Sequence, residues 1–152
     1  MSLHWEKEDT PRWDAGKQRM FGPAELAAVG LAPAAPGEPV ADEWWRVADG
    51  DDLAGYGWLD TEWGDARITF FVAPGHRGQG VGRFILEHLE AEAAARGLNY
   101  IYNVVPETHP DGPRIKNWLS MHGFREASRG QLSRQVEATP TGARAPASDT
   151  PR

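Results

Sequence analysis

The chain has 152 residues, 40% of them hydrophobic and 25% charged, with no cysteine, which suits one domain around one core and excludes disulfides, thiolate zinc sites and a cysteine nucleophile. No stretch approaches the roughly 18 consecutive apolar residues of a membrane span, and the charged first fourteen residues lack the apolar core of a secretory signal, so a cytoplasmic location and no membrane partner are expected. Of the net charge of -6, Met1 to Gly75 carries 6 Lys/Arg against 14 Asp/Glu (-8) and His76 to Arg152 carries 10 against 8 (+2), an asymmetry that argues against a nucleic-acid partner and suits an anionic ligand on the second half and a cationic one near the first.

Leu3 to Glu8 reads as a short first strand, followed by Thr10 and Pro11 as cap and first position of a helix. A second helix is expected over "GPAELAAVG", started by Pro23 and stopped by Gly30, and "APAAPGEP" is a stiff connector. Three runs follow, "DEWWRVA", "LAGYGWLD" and "ARITFFVA", separated by turn compositions at hairpin length, which predicts an antiparallel meander. In the third run Ile68, Phe70 and Val72 share one face and Arg67, Thr69 and Phe71 the other.

Beyond a glycine-rich loop, Val81, Phe84, Ile85, His88, Leu89 and Ala93 fall at i, i+3, i+4 spacing, so a helix is expected with Gly97 as its stop. "NYIYNVVP" is a strand ended by Pro106, returning parallel to Ile68 to Val72. "RIKNWLSMHGF" carries Ile115, Trp118, Leu119 and His122 at helical spacing, and "FREAS" and "QLSRQVEA" make a closing strand pair around Gly130. Residues 1–138 then form one domain, and 139–152, small, polar and proline-bearing, form a flexible tail.

The loop "VAPGHRGQGVGR" is the part of the sequence that speaks of chemistry. A Walker A loop requires lysine and a hydroxyl after its last glycine, where Val81 and Gly82 stand, and a dinucleotide fingerprint requires glycine where Arg83 stands. What is present is R-x-x-G-x-G, met by Arg77, Gly80 and Gly82 between a strand and a helix. Side-chain-free positions there let successive backbone N–H groups turn toward a diphosphate at a helix N-terminus without a metal.

With Val72-Ala73-Pro74 upstream of that arginine and a terminal Gly123-Phe124 after a further strand and helix, Gly55 to Phe124 resembles the GNAT superfamily of N-acetyltransferases. The resemblance implies an α/β fold with a mixed sheet, in which an antiparallel meander is followed by a parallel pair splayed between Ile68–Val72 and Ile101–Val105. It implies acetyl-CoA as cosubstrate and no metal, the pantetheine arm pairing with the backbone of Phe70, Phe71 and Val72 like an added strand. The pyrophosphate would be held by Arg77, Gly78, Gln79, Gly80, Val81, Gly82 and Arg83. Acceptor specificity then belongs to the acidic N-terminal half, with an amine-bearing small molecule or peptide as partner, and a homodimer is common in the family.

Two family features are absent: the frequent helix tyrosine that protonates the departing thiolate falls on Leu119, and the frequent asparagine falls on Gly112. Tyr102, Ser120 or His122 could serve as the acid, or water could. An attacking amine must be neutral, and Glu107 and His109 are the candidates for its general base. Of the other histidines, His76 is expected to face solvent and His88 to be a packed residue of a helix stripe. Most of the tryptophans Trp44, Trp45, Trp58 and Trp63 are expected to fill the core. Two functions remain open: direct acetyl transfer to a primary amine, or a non-catalytic acetyl-CoA-binding sensor with a degenerate site.

Overall fold

The computed structural model describes residues 2–128 and 130–137. In chain order its elements are β1 (Leu3–Lys7), α1 (Ala15–Met20), α2 (Pro23–Val29), β2 (Glu43–Asp49), β3 (Asp52–Glu62), β4 (Asp65–Val72), a single 3-10 turn (Pro74–His76), α3 (Val81–Ala95), β5 (Tyr100–Val104), α4 (Gly112–Met121), β6 (Arg125–Ser128) and β7 (Gln131–Gln135). One seven-stranded sheet runs in the order β1-β2-β3-β4-β5-β7-β6. Among the described residues only β4 and β5 pair in parallel. The mixed α/β fold with a meander and a parallel pair is therefore as the sequence implies.

The strands present their two faces to different cores. Ala66 and Ile68 of β4 join Trp45, Val47, Leu59, Ile85, Leu89, Ile101 and Leu119 in a core on the α3 and α4 side, with Phe70 and Val72 packed against it. On the other side α1 and α2 cover an aromatic cluster of Trp13, Phe21, Trp44, Tyr56 and Trp58, against which Phe71 packs. Trp44 and Trp58 stack at 4.1 Å between ring centroids, and Phe21 touches four rings of this group. Burial of large aromatic area explains how two helices of six and seven residues, too short to be stable alone, hold their place. On the opposite face α3 lies close to the sheet because Gly57 carries no side chain: a Cβ there would stand 2.7 Å from Ile85 Cγ2.

Two expectations need correction. No helix starts at Thr10 and Pro11. Pro11 is held in an irregular segment by a Val40 N–H bond to its carbonyl and by the bridge of Arg12 to Pro39, and α1 starts at Ala15 with Asp14 as cap, its Oδ1 accepting from Lys17 N at 2.9 Å. Lys17 itself is wholly buried, bonded to Glu8 at 2.7 Å and to the Arg12 carbonyl at 2.9 Å, which ties α1 to the end of β1. Second, β3 continues through Thr61 and Glu62, so the hairpin turn is just Trp63-Gly64, both at positive φ, and Trp63 is fully exposed rather than part of the core. The closing strands pair with each other as expected, and β7 lies between β5 and β6. The expected tail, 139–152, lies outside the described residues. Among the described residues no helix is long and apolar enough to cross a membrane.

Candidate active site

The two edges of β4 are unequal. Toward β3 it is paired along its whole length, from Asp65 opposite Glu62 to Val72 opposite Gly55. Toward β5 only Ala66 with Ile101 and Arg67 with Tyr102 are in register, and from Ile68 onward the strands diverge. Asn103, buried at 9% exposure, spans the start of the gap by donating its side-chain amide to the Ile68 carbonyl at 2.8 Å. An asparagine in place of a main-chain partner satisfies that carbonyl and leaves the rest of the edge open.

The open edge has a defined pattern. Ala73 N–H bonds to the Ala54 carbonyl of β3, and main-chain groups of alternate residues point to the same edge of a strand, so Phe71 also faces β3 while Phe70 and Val72 face the gap. The Val72 carbonyl accepts from Arg77 Nε at 3.4 Å, and the Arg77 guanidinium lies over the Phe71 ring at 5.5 Å. These contacts fold the loop back along the strand that it leaves.

That loop then turns sharply into α3. Gly78 and Gly80 sit at φ of 75° and 85°, a region that side chains disfavour, and Gly80 is the N-cap of the helix. Phe84 N–H is the first to find a helical partner, the Gly80 carbonyl, so the N–H groups of Val81, Gly82 and Arg83 have none within the helix. Gly82 lines the cleft floor: a Cβ there would meet Trp118, Val72 and Phe70 at 3.6 to 3.9 Å. Three donors without a helical partner at the positive end of a fifteen-residue helix are arranged as a candidate anion cradle.

A cleft of about 520 Å³ runs from this cradle through the β4–β5 gap. Phe70, Val72, Ile115 and Trp118 line it on the α3 and α4 side, and Thr69, Phe71 and the α2 residues Ala24, Glu25, Ala28 and Val29 line it on the other. The structure brings together at this cleft Phe70, Phe71, Val72, Arg77, Gly78, Gly80, Val81, Gly82, Arg83 and His109 of the residues singled out in the sequence. Gln79, exposed within the same loop, is not among the lining residues.

The acid and base candidates are distributed differently. His109 accepts a hydrogen bond at Nδ1 from the backbone N–H of Asp111 at 2.9 Å. A backbone N–H can only donate, so in the neutral ring the proton resides on Nε2 and the ring offers a donor rather than a free lone pair. Its Cβ lies 3.8 Å from where a Gly112 side chain would begin, so His109 neighbours the position on which the resemblance places the asparagine. Glu107 is exposed and does not line the cleft. Tyr102 points to the opposite side of β5 from Asn103 and donates to Glu62 Oε1 at 2.6 Å; burial, followed by that hydrogen bond, pushes its pKa up to about 12.

The remaining candidates are occupied elsewhere. Leu119, at the tyrosine position, is fully buried in the core. Ser120 is exposed away from the cleft, and His122 bonds through Nδ1 to the Trp118 carbonyl with its ring 4.0 Å from the indole. His88 packs between Trp5 and Phe84 as its place on the stripe predicts. His76 is not solvent-facing: it is largely buried and sits 3.4 Å from Asp49. Among the described residues no group of three His, Asp or Glu side chains is arranged to hold a metal ion.

Sequence reasoning missed Asn103, Trp118 and the α2 wall as parts of the cleft. A signal existed for Asn103, a lone amide inside the apolar run "YIYNVV". None existed for α2, whose approach to the gap is a matter of tertiary packing.

The family model described as the Acetyltransferase (GNAT) family matches residues 5–124. Streptothricin acetyltransferase of Streptomyces lavendulae is 38% identical over 80 residues, which cover 51% of this chain and 40% of the relative, so the match spans about two fifths of that protein's length. Among solved structures, the IAA acetyltransferase from Bacillus cereus superposes with a TM-score of 0.64 at 15% identity, covering 89% of this chain and all of that one. The PaiA N-acetyltransferase from Thermoplasma acidophilum, solved in complex with coenzyme A, superposes with a TM-score of 0.52 at 15% identity over 60% of this chain and 59% of that one. At such identities the superpositions speak to fold alone.

Proposed function

The chain belongs to the GNAT family of acetyltransferases, and on that premise we propose that it transfers an acetyl group directly from acetyl-CoA to a primary amine, with no covalent enzyme intermediate. The observation that carries this reading is the continuity of anion cradle, open strand edge and splayed gap in a single cleft. N–H groups at the start of α3 receive the pyrophosphate, with Arg77 and Arg83 beside it. The Phe70 and Val72 main-chain groups pair with the amide-bearing pantetheine arm, and Trp118 and Phe70, 5.7 Å apart, wall the thioester end. The amine enters from the α2 side. Holding both reactants in line supplies much of the rate, because a thiolate is already a good leaving group.

His109, with its Nε2 proton directed outward from the Asp111 contact, is assigned as hydrogen-bond donor to the departing sulfur in place of the absent tyrosine. Glu107 and Tyr102 are given no part in the chemistry. The acceptor is an amine-bearing small molecule or peptide, and an antibiotic such as streptothricin belongs in the first panel because of the relative's activity. A homodimer and a cytoplasmic location remain compatible with this reading.

A second reading is favoured by one observation: Leu119 and Gly112 remove both usual polar helpers, as in a module that binds acetyl-CoA without turning it over. Thiol release from acetyl-CoA against polyamines, amino acids, aminoglycosides, streptothricin and short peptides separates the two. Amine-dependent release supports the enzyme. Calorimetric binding of acetyl-CoA without release under any amine supports the sensor.

A further inference from the structure

The charges that line the cleft are divided by side. Arg77, Arg83, His109 and Arg114 stand along the loop and α4, and Asp111 there is already ion-paired with Arg114 at 3.1 Å. Among the described residues the one other titratable lining group is Glu25, on the α2 side. Among the described residues its carboxylate has no hydrogen-bond or ion-pair partner, although the side chain is partly buried. Glycine at position 22 leaves space for it, since a Cβ there would stand 2.8 Å from Glu25 Oε1. A carboxylate in the first turn of a helix is favoured by the helix dipole, which explains why it is tolerated on α2 but not why it faces the cleft. Partly removed from water and unpaired, such a carboxylate favours a cation beside it.

We infer that Glu25 receives the ammonium of the acceptor on the α2 side of the gap and takes the proton that the amine must lose to attack. This rests on the acetyltransferase reading and makes the acceptor class a cationic primary amine. The bookkeeping closes. Of the three protons on the ammonium, one passes to Glu25 and on to water, and the nitrogen lone pair then forms the C–N bond. The C–S bond breaks, the second proton leaves nitrogen as the sulfur is protonated, with His109 regaining the proton that it gives, and the third stays on the amide. Transfer to the carboxylate is favoured when acetyl-CoA fills the cleft, because a desolvated neutral pair costs less than a desolvated ion pair.

Glu25→Gln preserves side-chain length and removes the charge. Wild type and variant are compared for acetyl-CoA affinity, thermal unfolding and amine-dependent thiol release from about pH 7 to about pH 9.5, with the fastest amine of the panel. If no amine turns over, spermidine binding to the CoA-saturated protein replaces the kinetic arm. The expected result is unchanged acetyl-CoA affinity and unfolding, with kcat/KM for the amine at least about tenfold lower at pH 7 and the deficit narrowing as more amine is neutral in solution. In the binding arm, spermidine binds about tenfold more weakly to the variant. An unchanged kcat/KM, a deficit of equal size at every pH, or equal spermidine affinity overturns the assignment. The acetyltransferase reading falls separately, on absence of amine turnover by the wild type, and spermidine then decides Glu25 alone.

Discussion

The two edges of β4 are made from the same eight residues and do opposite things. The β3 edge is paired from end to end and contributes to stability, whereas the β5 edge is paired at two positions and then left open. An unpaired strand edge inside a sheet is costly unless something completes it. Here Asn103 completes the first carbonyl and Arg77 reaches the last, and the groups between them are the ones the proposed acetyl-CoA site would use. The proposed function rests on the place where the regular ladder stops, and the closed edge is what allows it to stop.

Breaking the closed edge should produce the largest effect. A side chain at Gly55 would place Cβ 2.5 Å from the Phe71 carbonyl, so Gly55→Val is expected to lose about 3 kcal/mol of stability in denaturant unfolding and to lose acetyl-CoA binding with it. At the mouth of the open edge the two properties should part. Gly80→Leu meets nothing within 4 Å, so its cost to folding is the left-handed φ, about 1 kcal/mol. Its cost to acetyl-CoA affinity, read by calorimetry, should be about 100-fold, because the side chain occupies the cradle. Unchanged affinity would remove the donor site from this loop.

Asn103→Ala sharpens the comparison further. Losing the amide that caps Ile68 should cost about 1–2 kcal/mol in stability and weaken acetyl-CoA binding by only a few fold, since the ligand-facing groups of Phe70 and Val72 remain. The smallest effect is expected at the two paired positions of the same edge. Because the folded protein raises the Tyr102 pKa from 10 to about 12, its stabilising contribution is complete below pH 10 and is lost as pH rises toward 12. Tyr102→Phe should cost about 1 kcal/mol near neutrality, flatten the loss of stability between those pH values, and leave amine-dependent turnover unchanged. A turnover defect would return Tyr102 to the site.

By itself the sequence determined most of the elements and the glycine-rich turn into α3, because both are written in local patterns. Alternation in "ARITFFVA", the stripe from Val81 to Ala93 and the positive-φ glycines at 78, 80 and 97 depend on near neighbours in the chain. The α1 cap was misplaced for a local reason too, since Thr10 and Asp14 both make good caps, and long-range bonds from Pro11 and Arg12 to the connector at 37–40 kept the first from starting a helix. What only the tertiary structure decided is everything that faces the cleft from far along the chain. The insertion of β7 beside β5, the side of β5 that Tyr102 takes, the tautomer that Asp111 imposes on His109, and the arrival of Glu25 at the cleft all follow from packing between distant segments. A diphosphate can be met by one loop and one helix end. An acceptor amine has to be met by residues brought from the other face of the sheet, and no spacing in the chain records that meeting.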